Sequence, residues 1–301
     1  EDFKENIGLF LDENNPYVSE IDCNFFIEFL DKIENYYRNT IAWEFYYFRY
    51  YQYLTFFYSF IFLSLKDNIS FKEDYLKYIK NYVLKSWIHF DIQNQVDNDF
   101  KRLGYWMATW SWKTLLMYAI IYMYFLFQQK NTRARVKDLF IVVPSDELRK
   151  QHKDFLEKFN SNLFWRISDK WTIIEFVNIK LFWDFEVDWK LTTINWISGQ
   201  NLPPNSILLI DEAHKWAWVD KTKETWLEST KTKYMRWNNT FMFEFSATFQ
   251  KAFEKDVEDT TNIFNTYIFS SIFKYNLYNF NKDWFRSEER RVGKECRSRW
   301  S

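Results

Sequence analysis

The feature that most constrains this chain is a shortage: its 301 residues include 4 Gly against 16 Trp. Ordinary proteins carry about 7% Gly, roughly 20 in a chain of this length. Glycine serves wherever a backbone takes positive φ or closes on a ligand, so a large α/β protein almost without it is hard to build. The tryptophans are also oddly placed. Trp106, Trp110 and Trp112, then Trp216 and Trp218, fall in short polar, turn-like stretches rather than on apolar faces. One reading accounts for both facts: many of these positions are glycine codons, UGA, translated with a code that reads UGA as tryptophan. The alternative is an aromatic-rich protein from an AT-rich genome. It accounts for the abundant Phe, Tyr, Asn, Lys and Ile but not for the missing glycine.

Under the first reading the segment ATWSWKT, residues 108–114, becomes the most informative in the chain. With Trp110→Gly and Trp112→Gly it reads ATGSGKT, and a strongly apolar helix follows. A phosphate-binding loop wraps successive backbone N–H groups around the β-phosphate at a helix N-terminus, while its Lys reaches the β/γ-phosphates and its Thr hydroxyl binds Mg²⁺. Ala108, Thr109, Trp110, Ser111, Trp112, Lys113 and Thr114 are therefore the candidate nucleotide-binding positions, with Thr114 also a metal ligand. Two indoles within the loop would block the pyrophosphate and disfavour positive-φ turns. Taken alone, the segment is equally a helix N-terminus that happens to carry Lys113 and Thr114.

A second element sharpens this. SILLIDEAH, residues 206–214, is an apolar strand ending in Asp211 and Glu212, which sets two carboxylates at the carboxyl end of a central strand, where α/β sheets bind ligands. Asp211 is suited to hold Mg²⁺ through water, and Glu212 to orient the water that attacks a γ-phosphate. A generic acidic strand end predicts neither the Ala-His that follows nor a third element, Ser246, Ala247 and Thr248, after another buried strand.

Residues 1 to about 100 have helical character, with apolar positions three and four apart in DCNFFIEFLDKIENYY and KEDYLKYIKNYVLKSW. From residue 105 short apolar runs alternate with helices. Residues 139–144, 191–195, 206–211 and 241–248 read as buried strands, and 145–159 as a helix with Ser145 as N-cap. Strands alternating with helices predict a mostly parallel sheet covered on both faces.

In order, ATWSWKT, DEAH and FSATF resemble motifs I, II and III of helicase superfamily 2. Within it, DEAHKWAWVD, FMFEFSATFQKAF and IFKYNLYNFNKDWF, the last with Trp284→Gly, are most similar to the motor subunit of type III restriction enzymes. The resemblance covers roughly residues 49–285. It implies a RecA-like P-loop NTPase domain that uses ATP and Mg²⁺ to move along DNA, preceded by a helical N-terminal region. By the same resemblance Lys113, Asp211 and Glu212 are catalytic. His214 and Ser246 to Thr248 couple nucleotide state to movement, and a methyltransferase subunit is a partner. RYYQY, residues 49–53, resembles the glutamine motif upstream of motif I and offers Gln52 to adenine; a surface-facing polar residue is the alternative. PSDELRKQHK, residues 144–153, stands where the family has its first DNA-contacting motif. Arg149, Lys150 and Lys153 could meet phosphates there, or simply form a solvated helix face.

The expected organisation is a helical extension over 1–45, an ATP-binding domain over 46–285 with a helical insertion at about 66–100, and a foreign tail at 286–301. That tail, RSEERRVGKECRSRWS, reads as a translated sequencing adapter. Without its 6 basic and 3 acidic residues the net charge moves from −1 to −4, which removes any apparent basic tail for nucleic acid. The natural chain is expected to run beyond residue 285, into a second motor lobe whose absence would leave this fragment nearly without hydrolysis. Cys23 alone forms no disulfide or metal framework, as in a reducing cytoplasm, and no structural metal is expected. The apolar run 45–65 carries Arg49 and Gln52 and reads as a buried helix rather than a membrane span, and 115–127 as a core helix. His89 and His152 have no partners at metal-ligand spacing and read as ordinary surface or satisfied residues. Two rival functions remain, a nucleotide-dead interaction protein on a decayed helicase fold and a small-molecule phosphotransferase.

Overall fold

The computed structural model describes Tyr17 and residues 21–41, 48–85, 100–107, 113–130, 136–159, 164–168, 173–177, 187–197, 202–213, 234, 240–246 and 271–275. Among the described residues three helices come first: α1 (Cys23–Ile41), α2 (Tyr50–Leu65) and α3 (Ile69–Lys85). There follow β1 (Arg102–Met107), α4 (Lys113–Lys130), β2 (Asp138–Val143), α5 (Asp146–Phe159), β3 (Phe164–Ser168), β4 (Ile173–Val177) and β5 (Asp188–Thr193). The short α6 (Ile194–Ile197), β6 (Ser206–Asp211), β7 (Phe241–Ser246) and β8 (Ser271–Tyr275) complete the set.

The eight strands among the described residues form one sheet in the order β3-β4-β5-β2-β6-β7-β1-β8. From β5 to β8 every neighbouring pair is parallel, and β4 joins β3 and β5 antiparallel at one edge. Parallel strands need crossovers, and both sheet faces must then be covered. Alternation along the strands does this. Leu139, Ile141 and Val143, with Leu209 and Phe243, pack into one large core shared with α1, α2 and α4, while Phe140, Val142, Leu208, Ile210 and Met242 face a smaller one. A mostly parallel α/β sheet with helices N-terminal to it is thus the fold the sequence predicts.

Helix α4 is buried around nearly its whole circumference from Leu115 to Phe125, as its unbroken apolar run requires. Helix α2 is also largely buried, and its polar side chains are satisfied locally. Thr55 and Ser59 donate to the carbonyls of Tyr51 and Thr55 at 2.7 and 2.6 Å, and Ser59 Oγ meets the Tyr105 hydroxyl of β1 at 2.9 Å. Among the described residues no helix is long and apolar enough to cross a membrane.

Only four of the eight strands are legible in the sequence. Strand β1 escapes because Arg102 and Gly104 interrupt its apolar run, yet all six of its residues are buried. Arg102 is neutralised by Glu244 of β7, Nη2 to Oε2 2.6 Å, a partner that lies 142 residues away. Trp106 also differs from expectation. It is no turn residue but a buried member of β1, packed with Phe140, Val142 and Ile210. Strand β5 begins three residues earlier than read, and Ile194 and Asn195 turn into α6. The helix read at 145–159 forms as α5, with Ser145 Oγ accepting the Leu148 amide at 3.4 Å.

Candidate nucleotide and metal site

Because β1, β6 and β7 run parallel, their carboxyl ends share one edge of the sheet. Asp211 is in register with Phe245, Phe245 with Tyr105, and Ser246 with Trp106. Lys113 opens α4 six residues after the last residue of β1, so chain connectivity sets residues 108–112 between that strand end and that helix N-terminus. Ala108, Thr109, Trp110, Ser111 and Trp112 themselves lie outside the described residues, as do His214, Ala247 and Thr248.

The described residues converge on the end of β6. Lys113 Nζ lies 2.7 Å from Asp211 Oδ1 and also pairs with the Glu212 carboxylate. Asp211 Oδ1 accepts the Glu212 amide at 2.9 Å as well. Its second oxygen, Oδ2, lies 3.2 Å from His152 Nε2. Burial by itself would raise the Asp211 carboxyl; the Lys113 ammonium and the His152 hydrogen bond outweigh it and hold the group below the usual carboxylate range. For Lys113 burial pushes downward, and the charges and hydrogen bonds of Asp211 and Glu212 reverse the sign and raise it. Both groups are therefore ionised in the folded protein at neutral pH.

Glu212 is one of two described non-glycine residues with positive φ, at 54°. The left-handed region costs an L-residue ~1–2 kcal/mol, and such strain collects at functional sites. The backbone leaves the strand here so that two consecutive carboxylates both face Lys113; in a continuing strand they would point to opposite faces. Two carboxylates beside one ammonium at a helix N-terminus make a set of hard oxygen donors and a cation, which suits a phosphate with its Mg²⁺. Lys113, Thr114 and Asp211 fit that group, whereas indoles at 110 and 112 do not.

The remaining expected positions differ in their surroundings. Thr114 is half-buried in the first turn of α4, and Ser246 is buried at the end of β7. Gln52 is buried rather than surface-facing, and its carbonyl oxygen accepts the Arg49 amide at 2.8 Å, capping α2. On α5, Arg149 pairs with Asp146 at 2.7 Å and Lys153 with Glu157 at 3.6 Å, while Lys150 is exposed. Such surface pairs are worth little and exchange readily. Of the two readings of His152, surface or satisfied, the second holds: it is buried and its ring nitrogens meet Tyr118 and Asp211. Its signal was the buried stripe of α5, where Leu148, His152, Phe155 and Leu156 recur at helical spacing.

Comparison with known protein families agrees with this fold. The family described as type III restriction enzyme, res subunit, matches residues 75–251, more than half of the chain and a span that contains β1, Lys113, β6 and β7. No curated protein matches the chain. A parallel sheet with Lys113, Asp211 and Glu212 gathered at its carboxyl edge, inside the matched span, leads to one conclusion: the chain belongs to the type III restriction enzyme res-subunit family.

Proposed function

We propose that this chain is a motor domain that binds and hydrolyses ATP with Mg²⁺ to move along DNA in a restriction-type enzyme. The observation that carries the reading is the contact of Lys113 with both Asp211 and Glu212 at the carboxyl edge of the sheet. Positions 110 and 112 are glycine in the working protein, so that main-chain amides of 108–112 approach the phosphates. Lys113 then passes from the carboxylates to the β/γ-phosphates, and Thr114 and Asp211 hold the metal. Mg²⁺, when bound, supplies neutralising charge to the phosphate oxygens. Glu212 orients the hydrolytic water and takes its proton. Gln52 contacts adenine, His214 with Ser246 to Thr248 transmits the nucleotide state, and Arg149, Lys150 and Lys153 meet DNA phosphates on a helix that packs beside the site. A methyltransferase subunit and a cytoplasmic location complete the proposal, with the motor domain spanning 46–285 and the helical extension preceding it.

The printed Trp110 and Trp112 favour a second reading, a nucleotide-dead interaction protein on the same fold. The gene separates the two. UGA at both codons supports the motor, and UGG at both supports the inert scaffold. A binding titration with ATP and Mg²⁺ on the chain carrying Trp110→Gly and Trp112→Gly tests the motor reading directly; no binding by that folded protein overturns it.

A further inference from the structure

Three buried side chains from three elements, one of them the Asp211 carboxylate, form a single hydrogen-bonded chain. Tyr118 of α4 places its hydroxyl 2.8 Å from Nδ1 of His152 on α5, and Nε2 of the same ring lies 3.2 Å from Asp211 Oδ2 at the end of β6. All three are almost fully buried, at 2%, 2% and 3% exposure. The Tyr118 ring is itself clamped, stacked on Phe155 at 5.2 Å and on Trp189 at 5.9 Å. An ionised carboxylate only accepts, so Nε2 carries a proton toward Asp211 whatever the charge of the ring, and the Tyr118 hydroxyl serves Nδ1 as donor or acceptor accordingly.

We propose that His152, braced by Tyr118, is a positioning residue that holds Oδ2 of Asp211 and so keeps Oδ1 turned toward Lys113 and toward a bound metal. The two oxygens of Asp211 have different partners. Oδ1 has Lys113 and the Glu212 amide, whereas Oδ2 has the imidazole. Once Lys113 turns to a phosphate, Oδ1 keeps the Glu212 amide, and without a partner at Oδ2 the carboxylate rotates more easily about χ2, a broad torsion, which would withdraw Oδ1 from the site. Outer groups of this kind commonly tune metal affinity. His152 also lies on the helix that carries Arg149 and Lys153, so one element touches both the metal carboxylate and the basic face.

The inference rests on the motor reading, and the experiment separates the two. In the full chain carrying Trp110→Gly and Trp112→Gly, binding of a fluorescent ATP analogue is titrated in EDTA and then against MgCl₂, with thermal unfolding as the control for folding. The variants are His152→Leu, His152→Gln and Tyr118→Phe. His152→Leu is expected to leave affinity in EDTA unchanged within about twofold and to raise the half-saturating Mg²⁺ concentration by ~10-fold or more. His152→Gln, whose amide N–H can replace Nε2–H, is expected to recover to within about threefold of the parent, and Tyr118→Phe to shift it by about threefold. Equal Mg²⁺ requirement in the parent and a folded His152→Leu overturns the proposal, as does a His152→Gln protein no better than the leucine variant. Should His152→Leu not fold, the Gln and Phe variants decide: unchanged Mg²⁺ dependence in Tyr118→Phe with no recovery in His152→Gln overturns it. Absence of nucleotide binding in the folded parent overturns the motor reading and this inference together.

Discussion

Two buried ionic groups occupy one sheet and are built differently. Arg102 of β1 and Glu244 of β7 are matched: one guanidinium sends Nε and Nη2 to one carboxylate oxygen, at 3.1 and 2.6 Å, deep inside the sheet. At the carboxyl edge one lysine faces two carboxylates, one of them also held by an imidazole. In the first, one guanidinium meets one carboxylate; in the second, one ammonium is shared by two. Burial and pairing are common to both, so neither marks a functional site. What distinguishes the second is a pair of consecutive carboxylates at a strand end, brought to one lysine by a backbone that takes positive φ at Glu212.

The comparison is broken most forcefully at the matched pair. Removing one partner of a buried ion pair strands the other, so Arg102→Leu is expected to cost ~3–5 kcal/mol of unfolding free energy. Adding Glu244→Leu should recover most of the loss, because the pair as a whole competes poorly with apolar packing. Urea denaturation of the two variants checks both figures, and an additive double variant would mean that the pairing is incidental. At the edge the expectation reverses. In the glycine-restored chain Glu212→Gln should lower the small residual ATP hydrolysis expected of it by ~100-fold or more while leaving stability nearly unchanged, and single-turnover hydrolysis at excess protein beside a urea curve distinguishes these effects.

Acid sharpens the contrast further. The Asp211 carboxyl is held low against burial by Lys113 and His152, so its contribution to stability is fully present above the unfolded carboxylate pKa of ~3.9 and is lost as pH falls toward the folded value. In buffer with EDTA, the stability gap between the parent and Asp211→Asn is expected to be largest above about pH 4 and to narrow below it. A gap that is constant from pH 6 to pH 3 would show that the charge of Asp211 is not what stabilises the fold there. The smallest effect concerns the backbone. Glu212→Gly relieves φ 54° and should stabilise the fold by about 1 kcal/mol or less, offset in part by the freedom glycine gains when unfolded. A Glu212→Gly chain that melts lower than the parent would mean that the carboxylate's pairing with Lys113 outweighs the strain.

The same contrast explains what the sequence could disclose. Strands β2, β6 and β7 are legible because each is an apolar run buried on both faces. Strand β1 is hidden because its charged residue is cancelled by Glu244, a contact that no local pattern can reveal. Lys113, Asp211 and Glu212 are legible because their chemistry fixes short spacings along the chain. His152 is not, since its meaning comes from α5 packing against the end of β6, and on the sequence it differs in no way from a core position. Trp106 misleads in the opposite sense, a residue in a polar-looking stretch that fills the smaller core.

The central claim is that Lys113 and the carboxylates facing it form a phosphate and metal site once residues 110 and 112 are glycine. Equilibrium titration with ATP and Mg²⁺ of the Trp110→Gly, Trp112→Gly chain, with and without Lys113→Ala, tests it most directly. Binding tighter than about 1 mM is expected, weakened ~100-fold or more when Lys113 is removed, as befits a charge-assisted contact to phosphate. Equal binding with and without the Lys113 ammonium, or none in either folded protein, would contradict it.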